Sequence, residues 1–388
     1  MTDEQRPIDI QDAINQRAPS GIAMSPDGSR VVFSLGPIAK KGEYPEADLW
    51  LAETDGSGLR RLTTGESSDG QARWSPDGSL IAFISDREKR GTGALYVISP
   101  DGGEAVRVSQ WDANIASPVW SPDGAKVAVL ATDPETEDEK KRKEERDDTY
   151  VHQEDEKLAR LAVVELQADP LGQPALVAVE PKRLLEGEWN VWQHDWSPDG
   201  ERIAVVVSRH LGFGEGQYGL SLGLVPAGGG ELTVVGGESP SFRAPGSVAW
   251  SPDGAQLAFL AAFDLKRDAG HALYLVDAAD PASVRELARD EGFTALSLAW
   301  PLADHLALLR LKSVYSNVVT LTLDGETVEP LFHGEQQERG AWSTGMQMTP
   351  LGLGFSADGG RFAAIWGDST RPAEVWAGVV GAAPRQLT

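Results

Sequence analysis

Histidine, serine and glycine are the residue types whose spacing would betray catalysis in this 388-residue chain. The six histidines, His152, His194, His210, His271, His305 and His333, are scattered and form no HxH or HxxxH pair. That distribution carries no metal-site spacing. A serine nucleophile needs a base and an orienting acid. The strained-turn pattern GxSxG is absent, and its nearest relative, Ala341-Trp342-Ser343-Thr344-Gly345, has no helical pattern after it, so Ser343 reads as a loop residue. Gly228-Gly229-Gly230 leads into a strand, which suits a hairpin loop better than a phosphate cradle. There is no cysteine, which excludes disulfides, thiol catalysis and Cys-ligated metals. The expectation is a chain with no catalytic residue and no cofactor or metal of its own.

Recognition is a better fit than catalysis for the remaining polar residues. Arg87 and Arg90 sit in the loop Ser85-Asp86-Arg87-Glu88-Lys89-Arg90 and are candidates for one mouth of a channel, against the plainer reading of an exposed loop. Arg142, Arg146, Tyr150 and His152 lie in or beside the charged run Lys140–Asp148. His194-Asp195 sits among Trp189, Trp192 and Trp196, either lining a substrate passage or packed in the core as a satisfied polar pair. Arg73 completes the set of candidate substrate-gating residues. A free carboxylate would suit any of these arginines, because guanidinium pairs with it through two parallel hydrogen bonds.

What positions these residues is a repeat. Ser-Pro-Asp-Gly occurs at 25–28, 75–78, 121–124, 197–200 and 251–254, with a degenerate copy at Ser356-Ala357-Asp358-Gly359. Trp74, Trp120, Trp196 and Trp250 immediately precede four of the full copies, and Met24 and Phe355 hold that place in the first and last. Trp300 heads an eroded seventh unit, Trp300-Pro301-Leu302-Ala303-Asp304. Proline presets the turn, aspartate braces it and glycine accepts its positive φ. Each turn is followed by a short apolar strand such as Ile81-Ala82-Phe83 or Leu257-Ala258-Phe259, then by a second such as Leu95-Tyr96-Val97, then by a third such as Leu59–Thr63. With the strand entering the turn, each unit has four strands. Seven such units specify an all-β, seven-bladed β-propeller of four-stranded blades. The recurring tryptophan is then a packing residue between blades.

In a propeller the innermost strands line the axis, which places Arg73, Ser117, His194, Asp195, Ser247, Ser297, Gly352 and Leu353 there. The first unit opens on its inner strand near Ile22-Ala23-Met24 and the last closes on its outer strand near Arg385-Gln386-Leu387-Thr388. No strand is left to be shared, so the first and last blades should meet by side-chain packing, at the weakest joint of the ring. Residues 1–20 read as an arm, with a short helical pattern over Pro7–Arg17, and residues 21–388 as the propeller. A charged insertion at about 133–157 falls between the second and third strands of blade three. It reads either as a solvated excursion or as an arm over a neighbouring site, since long loops on rigid scaffolds often carry function.

Asp plus Glu number 59 against 35 Lys plus Arg, a formal charge of -24. Nucleic acid and anionic membranes both demand a positive surface, so neither is expected as a partner. No apolar run reaches membrane-spanning length, and the opening Met1–Pro7 lacks the pattern of a signal peptide. A cytoplasmic protein is the expectation; self-association is left open.

The pattern Trp-Ser-Pro-Asp-Gly-x-x-Ile-Ala-Phe resembles the blades of TolB and of the prolyl oligopeptidase family. The start Arg6–Asp12 with Met24–Phe33, the stretch Phe83-Ile84-Ser85-Asp86-Arg87, and the end Arg371–Trp376 with Pro384–Thr388 are similar to acylaminoacyl-peptidase-type members. The resemblance implies a propeller that admits short or N-acylated peptides to a serine peptidase and excludes folded proteins. It also implies a following α/β-hydrolase domain carrying Ser, Asp and His, so that this chain alone would be inactive. A carboxy-terminal exopeptidase of the same family and a stand-alone, TolB-like protein-binding propeller are the alternatives.

Overall fold

The computed structural model describes residues 15–39, 42–145, 157–168, 174–209, 211, 220–236, 247–262, 271–288, 294–312, 315–325, 328–332, 353–368 and 371–388. It shows seven four-stranded antiparallel sheets in chain order. Their inner strands are Arg17–Met24, Asp69–Trp74, Ile115–Trp120, Asn190–Trp196, Val248–Trp250, Thr294–Leu302 and Leu353–Phe355. In every blade the inner strand is the edge strand of its sheet. The expected seven-bladed, all-β propeller is therefore the observed one. The inner strand of blade one starts at Arg17, within the stretch read as an arm; residues 1–14 lie outside the described residues.

The Ser-Pro-Asp-Gly turns explain themselves atom by atom. In the second, the Gly78 amide donates to the Ser75 carbonyl at 2.9 Å, which closes the turn. The Ser75 hydroxyl donates to Asp77 at 2.6 Å and accepts from the Leu80 amide at 2.9 Å. Gly78 has φ +72°, a conformation that costs a side-chain-bearing residue about 1–2 kcal/mol. The eroded unit solves the same corner differently. There Leu302 pairs with His305, so a two-residue hairpin replaces the longer turn.

Tryptophan links the blades through its polar edge as well as its area. Trp74 Nε1 donates to the Ala23 carbonyl at 3.2 Å, Trp120 to Arg73 at 3.0 Å, Trp196 to Val119 at 3.2 Å and Trp250 to Asp195 at 3.2 Å. Each acceptor is the residue just before the corresponding position of the preceding blade. The series ends there, because Trp300 Nε1 is buried without a partner among the described residues and Phe355 has no N–H.

Among the described residues the ring closes without a shared strand. Ile22, Met24, Val31 and Phe33 of blade one pack against Ala363, Ile365, Val375 and Leu387 of blade seven. The expected side-chain seam is there, with one addition from the backbone: the Ala357 amide donates to the Pro26 carbonyl at 2.8 Å.

Strand direction assigns the loops to two faces. The Ser-Pro-Asp-Gly turns all lie on one. The opposite face carries the connections between second and third strands, the insertion of blade three, the start of the first strand at Arg17 and the end of the last at Gln386.

Candidate functional site

Arg73 and Asp195 occupy equivalent positions, each one residue before the blade tryptophan, where blades one, three and five carry Ala23, Val119 and Ala249. Arg73 is half-buried. Its Nη1 donates to the neighbouring Ala72 carbonyl at 2.9 Å, and it makes no ion pair among the described residues. Arg73 lines a cavity of about 510 Å³ at the turn-bearing mouth of the ring, together with Met24, Trp74, Trp120, Leu353 and Phe355 among others. Among the described residues, Arg73 is the only charged one in that wall. Burial disfavours its charge, and the carboxylate of Asp195 acts in the other direction.

Asp195 and His194 do not form the satisfied pair that the sequence allowed. Adjacent strand residues project to opposite faces of a sheet, and the two side chains share no hydrogen bond. Burial pushes the half-buried Asp195 carboxyl up to about 7, against the pull of the Trp196 amide and the Arg73 charge. Burial likewise pushes His194 down to about 4. Among the described residues neither of its ring nitrogens makes a hydrogen bond; the Ala128 backbone is near enough to favour the charged form, without bonding geometry. The three nearby indoles do not converge on a passage. Trp189 lies 3.4 Å from the Arg209 guanidinium, Trp192 donates to the Ser208 hydroxyl at 2.9 Å and Trp196 serves the blade contact.

The channel wall holds a strained layer in which Gln71 joins the axis-lining Ser117. Gln71 and Ser117, each three residues before a blade tryptophan, have φ +55° and +54°. Gly21 fills the equivalent place in blade one with φ +59°. Left-handed backbone in a residue with a side chain costs about 1–3 kcal/mol and persists only where its surroundings enforce it. Here the Gln71 side-chain oxygen accepts the Ser117 amide at 2.6 Å. Further round, the Ser247 and Ser297 hydroxyls lie 3.3 Å apart, and the Ser247 hydroxyl accepts the Leu298 amide at 3.2 Å. Aligning the repeats on tryptophan would have exposed Gln71 as a member of this layer.

Arg87 and Arg90 lie on the opposite face and are taken up within their own surroundings. Arg87 pairs with the fully buried Asp69 at 3.0 Å, bonds the Ser85 hydroxyl at 3.0 Å and covers the Tyr96 ring at 4.8 Å. Arg90 pairs with Asp86 and donates to the Pro45 carbonyl at 2.8 Å. Asp86 also accepts the Ser68 and Gly91 amides, so Ser85-Asp86-Arg87 acts as a knot that ties loops together.

The insertion leaves from the same face. Its helix α1 (Glu137–Glu144) starts on a reciprocal cap in which Glu139 accepts the Thr136 amide and the Thr136 hydroxyl accepts the Glu139 amide. Lys157 bonds Glu139 and, together with Thr136, holds that carboxyl at about 2. At the root, Asp133 pairs with Arg160 and Arg183, and Arg160 also reaches Glu188, a cluster no sequence motif announced. Arg142 lies half-buried on α1. Arg146, Tyr150, His152 and Ser343 lie outside the described residues. Among the described residues, no group of three or more His, Asp and Glu converges as a metal site, and no helix is long and apolar enough to cross a membrane.

Residues 11–153 match a family model described as the TolB beta propeller domain. The fold is a seven-bladed β-propeller whose first part is similar to the TolB type. Among curated proteins, an uncharacterized peptidase of Bacillus subtilis, YuxL, is 38% identical over 76 residues, which span 19% of this chain and 11% of that protein. Among solved structures, the acylaminoacyl peptidase of Pyrococcus horikoshii superposes with a TM-score of 0.66 at 17% identity, over 96% of this chain and 52% of that one. The β-propeller domain of the trilobed protease of Pyrococcus furiosus, described as having an open velcro topology, superposes with a TM-score of 0.63 at 14% identity, over 96% of this chain and 98% of that one. The ring thus spans about half the length of the acylaminoacyl peptidase and shares its fold with propeller domains of peptidases.

Proposed function

We propose that this ring is the substrate-admitting propeller of a cytoplasmic serine peptidase that hydrolyses short or N-acylated peptides, with its nucleophile on an α/β-hydrolase domain beyond this chain. The observation that carries the reading is the asymmetry of the two faces. The insertion, the start of the first strand and the end of the last share one face, where a following domain would sit. The other face opens on the Arg73 cavity. A channel bounded by seven rigid blades passes an extended chain and stops a folded one. The named peptidase relative and the peptidase propellers of the same fold support this reading.

The test is a peptide ladder, from a tripeptide upward, given to the full-length gene product. The proposal expects kcat/KM to fall steeply with length and folded proteins to remain intact. Equal cleavage of a folded protein and a short peptide contradicts it.

A further inference from the structure

We propose that the cavity at the turn-bearing mouth is a binding site for the carboxy terminus of a short peptide, with Arg73 holding the terminal carboxylate and the last side chain lying against Trp74 and Trp120. The inference goes beyond the peptidase reading and does not depend on it, because the site lies wholly within this chain and on the face away from the insertion.

Three observations converge on this ligand. The first is the charge. Arg73 is always protonated and has five N–H donors, of which the described structure occupies one, with the Ala72 carbonyl. Burial works against its charge. Among the described residues no carboxylate touches Arg73, although the Asp195 charge acts on it from further off, so a half-buried guanidinium with free donors gains from an anion that can take two of them at once.

The second is the wall. The cavity, at about 510 Å³, falls within the usual size of small-ligand sites. Around the arginine it is apolar, with Met24, Trp74, Trp120, Leu353 and Phe355 contributing. Such a wall favours an anion attached to an apolar body over a bare inorganic one. The third observation is the backbone. Each inner strand is an edge strand, with its outer row of N–H and C=O groups turned from its own sheet. An extended peptide can use those groups; a hydrocarbon chain cannot.

The experiment uses the chain as it stands. Acetyl-Leu-Phe, its carboxamide and octanoate are titrated separately while indole fluorescence is followed, since Trp74 and Trp120 line the site. The expected result is that the free acid binds roughly tenfold or more tightly than the amide, as a charge-assisted contact warrants, and more tightly than octanoate. In Arg73→Met the acid should fall to the affinity of the amide, with the amide little changed. Equal binding of acid and amide to the unaltered chain, or binding of neither, overturns the proposal and needs no variant to read. Octanoate matching the peptide acid overturns the assignment to a peptide. Failure here leaves the peptide-ladder result untouched, and failure of the ladder leaves this titration valid.

Discussion

The Ala357 amide donates to the Pro26 carbonyl at 2.8 Å, across the seam where the last blade meets the first. Ala357 stands where the five full repeats carry proline, and proline has no N–H to give. What reads as erosion of the motif is the residue that lets the last turn bond the first.

Restoring the repeat at that place should therefore weaken the ring. A proline at a compatible turn position ordinarily stabilises by about 0.4–1 kcal/mol, whereas a lost hydrogen bond costs about 0.5–1.5 kcal/mol. Ala357→Pro is expected to be neutral or destabilising, and Ala357→Ser, which keeps the amide, to be close to unaltered. Urea midpoints of the three proteins decide it; a clear gain for Ala357→Pro refutes the seam bond.

Trp120 ties blade three to the backbone of Arg73. Trp120→Phe loses the 3.0 Å indole bond and keeps most of the area, so it should cost about 1 kcal/mol. Trp120→Ala also opens a cavity and should cost about 3–5 kcal/mol. Equal losses in chemical denaturation would show that the indole N–H contributes nothing.

Gln71 holds the left-handed turn of its neighbour's strand in place. Gln71→Ala leaves the Ser117 amide without its 2.6 Å acceptor and should cost about 1–3 kcal/mol. Gln71→Glu keeps an acceptor oxygen and should lose less. A thermal melt of Gln71→Ala that matches the unaltered chain would contradict this role.

His194 and Asp195 should give opposite pH dependences that mask each other. His194 titrates near 4 when folded against an ordinary 6.5, so the unfolded chain holds the extra proton between those values and stability is lost as pH falls. Asp195 titrates near 7 when folded against an ordinary 3.8, so the folded chain holds the extra proton and stability is lost as pH rises. Between about pH 4 and 6.5 the two slopes oppose. Asp195→Asn should become visibly acid-sensitive in that window, and His194→Gln should lose stability toward pH 7. Denaturant midpoints from pH 4.5 to 7.5 test both, and two flat profiles would refute the pairing of opposite shifts.

The insertion should be dispensable for folding. Thr132 pairs directly with Ala159 at its base, so the second and third strands of blade three already meet as a hairpin. Replacing residues 135–155 with a short turn is expected to preserve a cooperative melt. Collapse of that melt would show that the insertion belongs to the core.

Much of this molecule was legible because its fold is written in local chemistry. Proline, aspartate and glycine fix most corners within four residues, and short apolar runs mark the strands after them, so the number of blades, the open closure and the place of the insertion are read from spacing. Arg73, His194 and Asp195 could likewise be assigned to the inner strands by counting back from tryptophan. What those side chains do could not be counted. Arg87 and Arg90 read as candidates for a channel mouth until Asp69, on the adjoining inner strand, and Asp86 are seen to hold them. His194 and Asp195 read as partners until the pleat sends them apart. The cavity around Arg73 is assembled from blades far apart in the chain, and its apolar wall arises only when the last blade closes on the first. Turns and strands depend on neighbours in sequence; ionisation, pairing and cavities depend on neighbours in space, and only the closed ring supplies those.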